Sequence, residues 1–191
     1  MNLPSASFMK PSSLSLVSGY LCTPLKKKVL NTMNISPAQL HPNSWAFLRA
    51  FHILCDQFGI LPNPNMLFFF FEFKTCKRTS WASLSSVKDR AILTLFQSSY
   101  KSFKGKFVKV LQSDQNPSLL ERVPLYWSSH PHTQTACSPD DLATNELNDC
   151  EKLDGLGLVF DTSILLNLKS RPNDLQVYIG TYFRRPFALC Y

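Results

Sequence analysis

Acidic residues are absent from the first 55 positions of this 191-residue chain, and glycine is scarce throughout, with six in all. None of the glycines forms a Gly-rich phosphate loop, so no nucleotide cofactor is indicated. The six cysteines include no Cys-x-x-Cys pair, which matches neither a zinc ribbon nor a compact disulfide framework. We therefore expect reduced, buried thiols in an intracellular protein, located in the nucleus or the cytoplasm.

Long apolar runs are also missing. The most hydrophobic run covers residues 66–71 and ends at Glu72, well short of the ~20 apolar residues that a membrane-spanning helix needs. The sequence therefore predicts a core element here and no membrane partner.

The charge that is present is unevenly distributed. Residues 1–110 carry 14 Lys and Arg against 3 Asp and Glu, a net charge of +11, whereas residues 111–191 carry 6 against 10, a net charge of −4. The basic half is therefore the candidate for contact with a polyanion such as nucleic acid. The alternative is that the positive charge only keeps an aromatic-rich surface soluble.

Length and a hydrophobic content of 45% suit a single core. We expect a poorly specified Ser-rich, basic leader over residues 1–28, one domain over 29–180 and a short tail over 181–191. A transit peptide is a less favoured alternative for the leader.

Two helices are predicted in the first half of the domain. Trp45, Leu48, Phe51 and Cys55 recur at helical spacing, with Asn43 or Ser44 as the N-cap and Gly59 at the end. An Asn-Pro pair at residues 63–64 predicts a second, Phe-rich helix that ends near residue 74. Because residues 68–71 are all Phe, periodicity does not exclude a buried strand there.

Strands are predicted in the middle of the chain, where Ser, Thr, Val and aromatic residues follow residue 81. The best candidates are residues 92–96 and 106–110, with a further extended segment at 123–127 and a loop at 128–136. A helix capped by Ser138 should then run to about residue 153 and end at Gly155 and Gly157. Short helices at 161–168 and 174–179 complete a helix-rich α+β domain with a small antiparallel sheet in the middle.

The segment Gln39-Leu40-His41-Pro42-Asn43-Ser44-Trp45 closely resembles the gypsy-type transposase domain of plant retrotransposon-derived proteins. Segments at 68–73, 81–84, 99–110, 124–127, 157–166 and 174–180 follow in that family's order, so the resemblance covers about residues 30–180. It implies a plant source, a retroelement origin and a capsid-like or accessory role, and it supplies no agreed catalytic residues. Because both ends depart from the family, we expect a truncated or mispredicted gene copy.

No complete catalytic or metal-binding constellation is found. Strand transfer needs carboxylates that hold two metal ions. Asp114 is the best candidate, but no carboxylate at the end of a strand precedes its possible companions Asp89, Asp149 and Glu151 in a convincing order. The group His130, His132, Cys137 and Cys150 fits neither a zinc knuckle nor a two-Cys, two-His finger. We therefore expect no enzyme activity, no metal and no cofactor.

The basic aromatic segment at residues 100–109 is the candidate binding site, because cations neutralise phosphates and nearby rings stack on bases. Its alternative is an edge strand whose lysines prevent aggregation. We expect a non-catalytic domain that binds nucleic acid without sequence preference, or binds protein; the alternatives are a metal-dependent transposase and an inert remnant. The site residues are Tyr100, Lys101, Phe103, Lys104, Lys106 and Lys109, which Lys74, Lys77, Arg78, Lys88 and Arg90 could extend.

Overall fold

The computed structural model describes residues 23–76, 80–96, 123–124, 126–132 and 136–167. The predicted architecture, a helix-rich α+β domain with a small antiparallel sheet, is confirmed. The elements in chain order are helices α1 (Pro24–Met33), α2 (Pro42–Gln57) and α3 (Pro64–Phe70), strands β1 (Phe71–Thr75) and β2 (Ala82–Ser86), and helices α4 (Thr144–Asp154) and α5 (Thr162–Asn167).

Helix α1 crosses the predicted boundary between leader and domain at residue 28. Its apolar side chains Leu25, Val29, Leu30 and Met33 are all buried in the main core. Residues 24–28 therefore pack with the domain, because the apolar positions of one helix lie on both sides of that boundary.

Helix α2 begins at Pro42, and His41 is its N-cap: the Nδ1 atom of His41 accepts a hydrogen bond of 3.1 Å from the backbone N–H of Asn43. The predicted cap at Asn43 or Ser44 was wrong, because Pro42 has the fixed φ that suits the first helical position. The predicted end is confirmed, since Gly59 has a φ of +64° directly after the last turn.

The Phe-rich segment changes from helix to strand without a linker. Asn63 caps α3 as predicted, with its Oδ1 atom 3.0 Å from the N–H of Met66. The predicted end near residue 74 was wrong: α3 stops at Phe70, and β1 starts at Phe71. Pairing with β2 and the burial of Phe71 and Phe73 on one face stabilise a strand in the second half of the segment.

Strands β1 and β2 form an antiparallel hairpin whose register runs from Phe71 opposite Ser86 to Thr75 opposite Ala82. His41 and the first turn of α2 cover the other edge of β2. The His41 N–H donates to the Ala82 carbonyl at 2.8 Å, and the Ser44 hydroxyl accepts from the Leu84 N–H at 2.8 Å. These bonds satisfy backbone groups that would otherwise be unpaired at the sheet edge.

The core lies between α2 and the Phe-rich segment. The ring of Phe47 lies 5.0 Å from that of Phe71, and the ring of Phe51 lies 6.1 Å from that of Phe70, both in tilted geometry. All four rings are buried, which confirms the predicted core role of residues 66–71.

The predicted helix over residues 138–153 is divided in two. Ser138 caps a short 3-10 turn, Pro139–Asp141, and α4 begins separately at Thr144. The Glu146 carboxylate accepts from the Ala143 N–H at 3.0 Å and from the Asn63 amide at 2.7 Å, so α4 starts where it is tied to the cap of α3. Tertiary contact therefore fixes the start of α4.

Two predicted extended segments are not strands. In residues 92–96 only Leu93 makes a bridge, to Phe160, and described residues 123–124 and 126–127 contain no strand. Because this bridge to Phe160 involves one residue on each side, it does not extend into a strand over residues 92–96. Helix α5 confirms the prediction at 161–168, and residues 128–132 and 136 have loop structure as predicted. The predicted strand at 106–110 and helix at 174–179 lie outside the described residues.

Replacing Ser80 with glycine is expected to stabilise the fold by about 0.5–1 kcal/mol. Ser80, just before β2, has a φ of +51°, a left-handed conformation that costs free energy for residues other than glycine. Urea denaturation measures the effect. The matched control is Ser83→Gly inside β2, where extended backbone gives glycine no such advantage and a loss of stability is expected. Equal losses in both variants would contradict the assignment of strain to Ser80.

Candidate functional site

The predicted basic aromatic site, consisting of Tyr100, Lys101, Phe103, Lys104, Lys106 and Lys109, lies outside the described residues, as do Lys77 and Arg78. Of its proposed extensions, Lys74 forms an ion pair with Glu72 on the same strand, and Lys88 is exposed. The Arg90 guanidinium lies 4.2 Å from the ring centroid of Phe69 and donates to the Cys137 carbonyl at 3.2 Å. Arg90 therefore supports the fold.

The described carboxylates among the candidate metal ligands, Asp89, Asp149 and Glu151, do not form a metal-binding group. Asp89 lies on an exposed 3-10 turn, whereas Asp149 and Glu151 lie on α4, where Asp149 pairs with Lys152 at 2.8 Å. Asp114 lies outside the described residues. Within the described ranges, no group of three or more His, Cys, Asp and Glu side chains is placed to hold a metal ion.

Of the two histidines in the 128–132 segment, His132 contacts the backbone of α1 and His130 contacts its neighbour in the chain. The Nδ1 atom of His132 lies 2.8 Å from the Thr32 carbonyl, and the His132 N–H donates to the Met33 carbonyl at 2.9 Å. These bonds fasten the segment to the C-terminal end of α1. His130 contacts the hydroxyl of its neighbour Ser129, with 2.8 Å between Nδ1 and Oγ.

The described cysteines are reduced thiols, and three of them are buried: Cys55, Cys137 and Cys150. Cys76 is exposed, so the expectation of burial was wrong for that residue. Burial raises the pKa of Cys150 to about 12, and burial also raises the pKa of Cys55 far above its ordinary value. Both thiols are therefore protonated at neutral pH and are poor nucleophiles.

The buried side chain of Gln39 makes hydrogen bonds to three separate segments. Its Oε1 atom accepts from the N–H of Ser36 at 2.9 Å and from the N–H of Ser128 at 2.8 Å. Its Nε2 atom donates to the carbonyls of Ser80 at 3.0 Å and Ser128 at 2.8 Å. One amide thus joins the turn before α2, the start of β2 and the 126–132 segment, and its hydrogen-bonding capacity is fully used.

An aromatic surface, formed by the paired rings of Trp81 and Trp127 with the exposed Tyr126 next to Trp127 in the chain, lies beside this amide. The rings of Trp81 and Trp127 meet edge to face, with centroids 4.8 Å apart and planes at 87°. Trp127 is 46% exposed and Tyr126 is 68% exposed. Sequence reasoning did not find this surface, because the two tryptophans are distant in the chain and no local pattern predicts that they meet.

The motif that carried the family resemblance has structural roles. Gln39 joins three segments, and His41 caps α2. The Ser44 hydroxyl accepts a hydrogen bond from the backbone of β2. Trp45 is buried, with the Lys26 ammonium 6.0 Å from its ring centroid. No family model matches the chain, and no curated protein or solved structure is significantly similar to it. Within the described residues, no helix is long and apolar enough to cross a membrane.

Proposed function

We propose that this chain is a non-enzymatic, retrotransposon-derived domain that binds nucleic acid without sequence preference through its basic half. The proposal includes an intracellular location, which the reduced state of the described cysteines supports. The observation that carries the proposal is the net charge of +11 over residues 1–110.

Two exposed lysines in the described part of the basic half, Lys28 and Lys88, are available to bind phosphates. Helix α1 carries three lysines and no acidic residue, and Lys28 on it is exposed. Within the described residues, neither Lys28 nor Lys88 has a carboxylate within ion-pair distance, whereas Lys152 of the acidic half pairs with Asp149. Exposed, unmatched cations attract phosphates and release their counterions.

A salt titration of the full chain against single- and double-stranded DNA and RNA tests the proposal. We expect the logarithm of the affinity to fall linearly with the logarithm of the salt concentration, with intact substrates in the presence of magnesium. The double variant Lys104→Glu, Lys106→Glu should weaken binding on every sequence tested, by about tenfold or more at low salt.

The matched control is Lys152→Glu combined with Lys169→Glu, which changes the net charge equally but within the acidic half. It should reduce binding much less. Equal losses in the two double variants would show that net charge alone matters, and unchanged binding in the first would remove the proposed patch. Magnesium-dependent cleavage that Asp114→Asn abolishes would favour the transposase alternative, and no binding to any probe would favour an inert remnant.

A further inference from the structure

The aromatic surface is unusual because large rings remain open to solvent although the core nearby is closely packed. Trp127 and Tyr126 are consecutive and both are substantially exposed. An edge-to-face pair, unlike a stacked pair, leaves at least one of its rings with both faces free of its partner. The Trp81–Trp127 pair therefore has a ring face that its partner does not cover.

Gln39 fixes both tryptophans from the same point. Ser80 directly precedes Trp81, Ser128 directly follows Trp127, and both serine carbonyls accept hydrogen bonds from the Gln39 Nε2 atom. The left-handed backbone at Ser80 is held in the same place, and such strain is common where a side chain must be presented in one orientation. The two indoles are thus held in place before any ligand arrives, which lowers the entropy lost on binding.

The segment that carries Trp127 also contacts a helix that carries an exposed lysine, Lys28. The 126–132 segment continues to His132, which is bonded to the C-terminal end of α1 at Thr32 and Met33. The exposed Lys28 precedes Thr32 by four residues and so lies on the same face of α1. The five residues from Trp127 to His132 span at most about 17 Å, and Lys28 lies about one helical turn before Thr32, so Trp127 and this lysine lie within a few nucleotides of each other.

We propose that the aromatic surface stacks on the bases of single-stranded nucleic acid, with Gln39 as a positioning residue. This inference rests on the proposed function, to which it adds the strand state of the ligand. Lysines attract the phosphates of any nucleic acid, whereas an exposed ring stacks only on bases that are not paired within a duplex. The chain therefore prefers single strands to duplexes, and this preference comes from the rings.

Fluorescence anisotropy with the full chain tests the inference, using labelled oligothymidine of about 20 nucleotides and a duplex of equal length. Trp127→Ala should weaken binding to the single strand by roughly 5- to 150-fold and change duplex binding less than about twofold. Tyr126→Ala should act in the same direction, and Trp127→Phe, which keeps a ring, should retain part of the affinity. The control Leu61→Ala removes a side chain that is 88% exposed and should change neither affinity.

The outcomes separate this inference from the proposed function. If the unaltered chain binds neither probe, both fail; if it binds both in a salt-dependent manner and Trp127→Ala leaves both affinities unchanged, only the stacking inference fails. Equal losses on single strand and duplex in Trp127→Ala, in a variant with an unchanged melting temperature, would also overturn stacking. Loss on the single strand alone, with the Lys104→Glu, Lys106→Glu variant losing both, supports the two proposals together.

Discussion

Replacing Phe70 with alanine is expected to destabilise the protein by about 3–5 kcal/mol, enough to unfold a marginally stable domain. Phe70 is fully buried at the end of α3, where its ring meets those of Phe51 and Phe69 at 6.1 and 5.0 Å. The variant loses the transfer free energy of the ring and leaves a cavity that the helix-to-strand junction cannot easily close. Urea denaturation followed by far-UV circular dichroism measures the change.

Two companion variants make the Phe70 result specific. Leu61→Ala removes an apolar side chain that is exposed to solvent, so its effect should stay within about 0.5 kcal/mol. Phe70→Leu keeps much of the apolar volume and should cost less than the alanine variant. A loss below about 1 kcal/mol for Phe70→Ala would contradict the position of this ring in the core.

Replacing Gln39 with leucine is expected to cost about 2–4 kcal/mol, because it removes four hydrogen bonds and leaves their backbone partners at Ser36, Ser80 and Ser128 unsatisfied. The same change should weaken the near-UV circular dichroism of the tryptophans, since the amide holds both segments that carry the Trp81–Trp127 pair. Chemical denaturation and near-UV spectra of the same samples give the two readouts.

Gln57 supplies the matched control for Gln39. Its Oε1 atom is buried, and within the described residues it has no hydrogen-bond partner. Gln57→Leu therefore makes the same chemical change without breaking a bond to that oxygen, and stability should be unchanged or slightly higher. If Gln39→Leu behaved like Gln57→Leu and kept the near-UV signal, the amide would not be the element that orders the aromatic surface.

The parts of the fold that the sequence predicted are those with local chemical signals. Proline at a first helical position and asparagine before it set the start of α3, and glycine marks the end of α2. The change from helix to strand at Phe70 and Phe71 has no local signal, because a run of identical apolar residues has no periodicity. Pairing with β2 determines it, and the run of phenylalanines does not show which of its residues will pair.

The candidate site was only partly accessible to sequence reasoning for a similar reason. The resemblance drew attention to the segment that contains Gln39, and composition drew attention to the lysines. Neither could show that one amide side chain would bind the backbone next to two tryptophans. That arrangement depends on contacts between residues 39, 80 and 128, which only the folded chain brings together.

The direct junction between α3 and β1 constrains how this segment can vary. Adding one residue between Phe70 and Phe71 would turn the helix by about 100° relative to the sheet, or would exchange the two faces of the strand. Exchanges among large apolar residues, by contrast, keep every side chain on its own face. The segment is therefore a spacer of fixed length, in which evolution can replace residues more readily than it can insert or delete them.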